Sequence, residues 1–140
     1  MAKSSETQPS STSQVRGGAV PYIQVDGAMK AAEFYKRAFG AETVFAHPVD
    51  DKGRTMHVHV HINGSSVMLG DPFAEHGCAV EKPQGFHILL PVDNADAWFK
   101  RAVDAGAQGA MPPQDMFWGD RYAQVRDPFG VVWGLNQGKR

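Results

Sequence analysis

The chain has 140 residues, 42% of them hydrophobic and 21% charged, with a formal net charge of −1. That is enough chain for one domain with its own core. It lacks the basic excess that neutralises phosphates, no apolar run reaches membrane-spanning length, and its single cysteine, Cys78, excludes an internal disulfide. Neither nucleic acid nor a membrane is expected as a partner, and a reducing, cytoplasmic setting is expected.

The opening stretch MAKSSETQPSSTSQVRGG is rich in Ser, Thr and Gln and has no apolar signal core. It cannot bury a face, so residues 1–17 read as a disordered tail ahead of one domain over 18–138. A strand-like run, AVPYIQVD (19–26), follows. AMKAAEFYKRAFG (28–40) then carries Met29, Ala32, Phe34 or Tyr35, and Phe39 at helical spacing and stops on Gly40, predicting a helix over about 28–39. TMHVHVHI (55–62) and SSVMLG (65–70) flank Asn63-Gly64, the dipeptide suited to a two-residue hairpin turn.

AEHGCAVEKP (74–83) reads as a connecting loop. His76, two residues from Cys78, could activate the thiol, although a cysteine in such a loop is more often inert. GFHILLPVD (85–93) is strand-like, and ADAWFKRAVDAG (95–106) places Ala95, Trp98, Phe99, Ala102 and Ala105 at helical spacing before Gly106. MPPQDMFWGDRY (111–122) reads as a long loop rich in Met and aromatics. RYAQVR and VVWGLN flank Asp127-Pro128-Phe129-Gly130, with type I turn chemistry.

The chain states this order twice. Gly40 and Gly106, Gly64 and Gly130, and Leu69 and Leu135 are each separated by 66 positions. The reading is α+β: two βαβββ modules, about 18–72 and 84–138. The Asn-Gly turn sets Ile62 opposite Ser65, His61 opposite Ser66, Val60 opposite Val67, His59 opposite Met68 and Val58 opposite Leu69. Val58, Val60, Ile62, Val67 and Leu69 then share an apolar face; His57, His59, His61, Ser66, Met68 and Gly70 share the other.

The stretches PYIQVDGAMKAAEFYKRAFGAE, MHVHVHINGSSVMLGD and FWGDRYAQVRDPFGVVW resemble the vicinal oxygen chelate superfamily of glyoxalase I, bleomycin-resistance proteins and extradiol dioxygenases, and within it the PhnB-like subgroup. The resemblance spans roughly residues 19–137. It implies paired βαβββ modules whose sheets curl around a cavity, usually in a homodimer. The histidine face would be the concave one, joined by Tyr22, Gln24, His87, Leu89, Tyr122, Gln124, Gly134 and Asn136, with Val20 at the mouth.

Metal-dependent members of that superfamily place a ligand on the first, fourth, fifth and eighth strands. Those positions fall here on Val20 or Pro21, Met68, His87 and Gly134. Only His87 is a ligand type, so no metal cofactor is expected at the standard positions. Alternating residues on one strand are about 7 Å apart, which puts His57 and His61 roughly 14 Å apart, too far to share an ion. A displaced divalent-metal site using His59 and His87 is the alternative.

The favoured expectation is a binding module, with Tyr22, Met68, Tyr122 and Trp118 around a small, partly aromatic molecule and His57, His59, His61, His87, Gln24 and Gln124 as polar contacts. Arg121 would meet an anionic group or pair with Asp120 or Asp127, Trp118 would cap the cavity or pack its loop, and Asp71 has turn chemistry. The competing expectation is a lyase, isomerase or dioxygenase with His87 as ligand or base and His59 assisting. An ordinary solvated strand face remains the plain reading of the three alternating histidines.

Overall fold

A computed structural model describes residues 14–77 and 79–139. Cys78, and residues 1–13 of the segment read as a tail, lie outside the described residues. The element order is β1 (Tyr22–Gln24), α1 (Ala28–Phe39), β2 (Glu42–Ala46), β3 (Val58–Ile62), β4 (Ser65–Gly70), a 3-10 turn (Ala74–His76), β5 (Ile88–Val92), α2 (Ala95–Ala105), β6 (Gln108–Asp115), β7 (Arg121–Arg126) and β8 (Val132–Gln137). This is the βαβββ order twice, in two four-stranded sheets, β1-β4-β3-β2 and β5-β8-β7-β6. In each sheet the first strand runs parallel to the last, as the helical crossover requires. The two sheets stay separate and do not close on one another within this chain. No helix among the described residues is long and apolar enough to cross a membrane.

Both helices have the predicted bounds. Asn63 and Gly64 have φ of 53° and 85°, the paired positive values of the expected hairpin turn. The β3–β4 register runs from Val58↔Leu69 to Ile62↔Ser65, as the turn requires. Its helix-facing set, Val58, Val60, Ile62, Val67 and Leu69, is buried. Met29, expected on the buried stripe of α1, is instead 39% exposed; Ala28, Ala31, Phe34 and Ala38 take the inner face with Ala32, Tyr35 and Phe39.

MPPQDMFWGDRY is not a long loop. Residues 108–115 form β6, paired with β7 through two register shifts, and only a turn over 116–120 remains. Pro112 and Pro113 are tolerated because β6 is an edge strand, with bulges where ladder donors are not required.

One core serves both modules. Tyr35 on α1 packs edge-on against Trp133 on β8, with ring centroids 5.1 Å apart, and its hydroxyl donates to Asp127 Oδ2 at 2.5 Å. Trp133 Nε1 donates to the same oxygen at 2.9 Å, and the Phe129 and Val131 amides donate to Asp127 Oδ1. Burial and the adjacent Asp127 carboxylate hold the Tyr35 phenol well above its ordinary range. Asp71, read for turn chemistry, reaches further: it accepts from the Gly27 and Ala28 amides at the start of α1 and from the Thr55 amide. Sixty-six positions on, Gln137 Oε1 accepts from Ala95 N at the start of α2.

Candidate functional site

Apart from Arg121, the candidate side chains lie on or beside the sheet faces turned away from the helices, and they divide into three groups. The first lies on the first sheet. Tyr22 is 58% exposed, and its hydroxyl reaches across β4 to Met56 O at 2.6 Å and His57 Nδ1 at 3.1 Å. β4 makes room by having Gly70 beneath that bridge, where an added Cβ would stand 2.6 Å from Met56 O. Phe45 lies beside His57, with centroids 5.9 Å apart. Partial burial, and then the nearby charge of His47, lower the His57 pKa from its ordinary value. Tyr22 and Gln24 also line a cleft of about 320 Å³ against Glu81–Phe86 of the connecting loop.

The second group is His59 and His61, and it does not form one patch with His57. Residues 14–16 cross over it. Arg16 N donates to Ser66 Oγ at 2.8 Å, and Ser66 N donates back to Arg16 O at 3.1 Å. Ser66 Oγ also meets His59 Nε2 at 2.7 Å, while His61 Nε2–H donates to Gln14 O at 2.9 Å. The two imidazoles meet edge-on, 5.0 Å between centroids, and are 3% and 6% exposed. Met68, opposite His59, is half-buried. Nothing in the strand pattern signals this cover, because its donors and acceptors are backbone atoms about 50 residues away.

The third group lies on the second sheet. Tyr122 on β7 has its hydroxyl 3.3 Å from His87 Nε2 and accepts from Gln124 Nε2 at 3.0 Å. Trp118, in the turn before β7, sits edge-on to Tyr122 at 6.0 Å and is 48% exposed. Leu89 is 49% exposed on the same face. Arg121 is one residue from Tyr122 and therefore points to the other side of the sheet. It binds both carboxylate oxygens of Asp96 at 2.6 and 3.1 Å and reaches Asp115 at 3.0 Å, rather than pairing with Asp120 or Asp127. Asp120 instead accepts from Asn136 Nδ2.

The standard metal positions of the resembled family can be tested on this geometry. Gly134 could not be replaced by a carboxylate without displacing its neighbours: a Cβ there would lie 2.6 Å from the Tyr122 hydroxyl and 3.1 Å from both His87 and Leu89. Met68 on β4 adds a thioether, and Pro21 and Val20 offer no side-chain donor. Among the described residues no three His, Cys, Asp or Glu side chains come together. The donor set at these positions does not fit a hard or borderline divalent ion.

A model of the Glyoxalase/Bleomycin resistance protein/Dioxygenase superfamily matches residues 18–135. An uncharacterized protein of Mycobacterium bovis is 39% identical over 123 residues, covering 84% of this chain and 80% of that one. Among solved structures, a Pseudomonas aeruginosa protein superposes with TM-score 0.68 at 26% identity, covering 87% of this chain and 98% of that one. A Sphaerobacter thermophilus member of the Glyoxalase/bleomycin resistance protein/dioxygenase superfamily superposes with TM-score 0.64 at 27% identity, covering 86% and 98%.

Proposed function

Because the chain belongs to the glyoxalase/bleomycin resistance protein/dioxygenase superfamily, we propose that it binds a small, partly aromatic molecule on its open sheet faces, without the metal centre standard in that superfamily. The observation that carries this reading is the occupation of the eighth-strand position: the Tyr122 hydroxyl, held by His87 and Gln124, fills the space above Gly134. In place of an ion the second sheet offers a phenol, an imidazole and an amide beside the apolar faces of Trp118 and Leu89. Few placed polar groups on an apolar floor suit a small organic ligand. Tyr22, Gln24 and His57 offer a similar set on the first sheet.

The reading carries three further parts. The subgroup is PhnB-like, the setting is cytoplasmic, and the active form is a homodimer in which open faces of two copies enclose the ligand. The exposed aromatics Tyr22, Phe86 and Trp118 support the last, since a second copy would shield them from water. A displaced metal site on His59 and His87 loses support, because His59 Nε2 is engaged by Ser66 beneath residues 14–16.

The test is a thermal-shift screen of aromatic and heteroaromatic small molecules against the full chain, with light scattering for mass. Stabilising compounds should lose their effect in Tyr122→Ala, and the mass should be twice that of one chain. The reading fails if no compound stabilises the protein, or if the purified protein holds stoichiometric metal that His87→Asn removes.

A further inference from the structure

The first sheet ends on a pair of histidines, His47 and His57, of which the small-molecule reading uses only His57. β2 and β3 run antiparallel with Ala46 opposite Val58. One step further along, the His47 amide donates to His57 O at 2.8 Å, which sets the two histidines opposite each other. Opposite residues on an antiparallel pair send their side chains to the same face, with Cβ atoms about 4.5–5.5 Å apart. Two imidazoles at that spacing can close on one ion at metal–nitrogen distances of about 2.0–2.1 Å.

The surroundings of His57 set its tautomer. Tyr22 has one hydroxyl proton, and at 2.6 Å it faces Met56 O, a carbonyl that can only accept. At 3.1 Å from His57 Nδ1, the Tyr22 oxygen must then accept, so Nδ1 carries the proton. Nε2 is left with its lone pair. A ring held by one N–H while the other nitrogen stays basic is the arrangement that orients a metal-binding histidine. Packing against Tyr22 and Phe45, at centroid distances of 5.6 and 5.9 Å, limits rotation of the ring. Partial burial, and then the nearby charge of His47, disfavour the protonated form of His57, and a ligand binds in the neutral form. His47 is exposed and can adjust to an ion that His57 positions.

We propose that His47 and His57 form a cross-strand imidazole pair that binds a divalent transition ion of the Cu(II), Ni(II) and Zn(II) group. Two neutral nitrogens with no carboxylate exclude Mg(II) and Ca(II), which require oxygen ligands, and rank Cu(II) first. The remaining coordination positions face solvent and can take water or a small chelating molecule. Neither histidine occupies one of the four family positions, and binding of the ion alone is read with no organic molecule present, so its failure and that of the small-molecule reading are distinguishable.

The experiment is calorimetric titration of the full chain, without a histidine tag, with Cu(II) and Ni(II) near neutral pH, alongside imidazole NMR with diamagnetic Zn(II). One equivalent should bind, and Zn(II) should shift the His57 Nε2 resonance while its Nδ1–H persists. His47→Asn and His57→Asn should each abolish the binding heat, Tyr22→Phe should weaken affinity by about 10- to 100-fold, and His87→Asn should leave it unchanged. The proposal is overturned if the wild-type chain binds no ion, if either asparagine variant retains wild-type affinity, or if Zn(II) displaces the Nδ1 proton. The NMR readout on wild-type protein decides the matter even if a variant fails to fold.

Discussion

The two modules share a topology and differ in how deeply their helices are held. Helix α1 buries seven of its twelve residues, whereas α2 buries only Ala95 and Ala102 of its eleven. Both are amphipathic, so the difference comes from position. α1 packs on its own sheet and also meets the second module through Tyr35, Trp133 and Asp127. Trp98 and Phe99 of α2 are only partly covered. The helix starts differ in the same sense. α1 has no side-chain cap of its own and depends on Asp71, which serves three amides. α2 has a local cap, Asn94 accepting from Ala97 N, with Gln137 serving one amide. A repeated chain order therefore does not imply equal stability of the repeats: the first helix joins the two halves, and the second closes one flank.

That asymmetry can be broken most severely at Asp127. Removing its carboxylate in Asp127→Ala strips partners from the Tyr35 hydroxyl, the Trp133 indole N–H and two turn amides, and should cost about 4 kcal/mol in urea unfolding. Tyr35→Phe, which removes one donor and keeps the ring, should cost about 1.5 kcal/mol. Equal losses would show that the carboxylate does not act as the shared acceptor. The equivalent caps give the next contrast. Asp71→Ala should cost about 3 kcal/mol and Gln137→Ala about 1 kcal/mol, because three amides lose their acceptor in one case and one in the other. The comparison fails if the order reverses.

Ser66→Ala tests the cover over the second histidine group. It removes the acceptor for Arg16 N and the partner of His59 Nε2, and should cost about 1.5 kcal/mol. Hydrogen exchange at Arg16 should quicken, whereas Val132→Ala, 66 positions on, should leave that amide unchanged.

The smallest expected effect is a pH slope from His57, measured after chelator treatment. Its folded pKa lies below the ordinary 6.5, so below that value the unfolded chain binds more protons than the folded one. Stability is full above about pH 6.5 and declines as pH falls toward the lowered folded value. His57→Gln should flatten this segment of the profile; a slope that survives in that variant must belong to another group.

The open faces were less legible in the sequence than the core. Alternation in TMHVHVHI placed three histidines on one side of a strand and fixed their register, since side-chain direction follows from period two. It could not reveal that backbone atoms of residues 14–16 cover two of them and that Tyr22 holds the third. Arg121 likewise was identifiable as a cation next to a candidate tyrosine, but its acidic partners come from α2 and from the strand formed by a stretch read as a loop.

What the sequence by itself determined is local in origin. The helix spans, the stops at Gly40 and Gly106, the Asn63-Gly64 turn and the β3–β4 register all follow from periodicity and turn chemistry within a few residues, and the recurrence of these local signals 66 positions on gives the two-fold repeat. What only the tertiary structure decided depends on atoms far apart in the chain. This includes the bulged, proline-bearing edge strand, the double duty of α1, the hydroxyl above Gly134, and the division of the histidines into one beside Tyr22 and two beneath the N-terminal segment. The physical reason is that a short segment sets which face a side chain takes, whereas its partners are set by the packing of elements that no local pattern encodes.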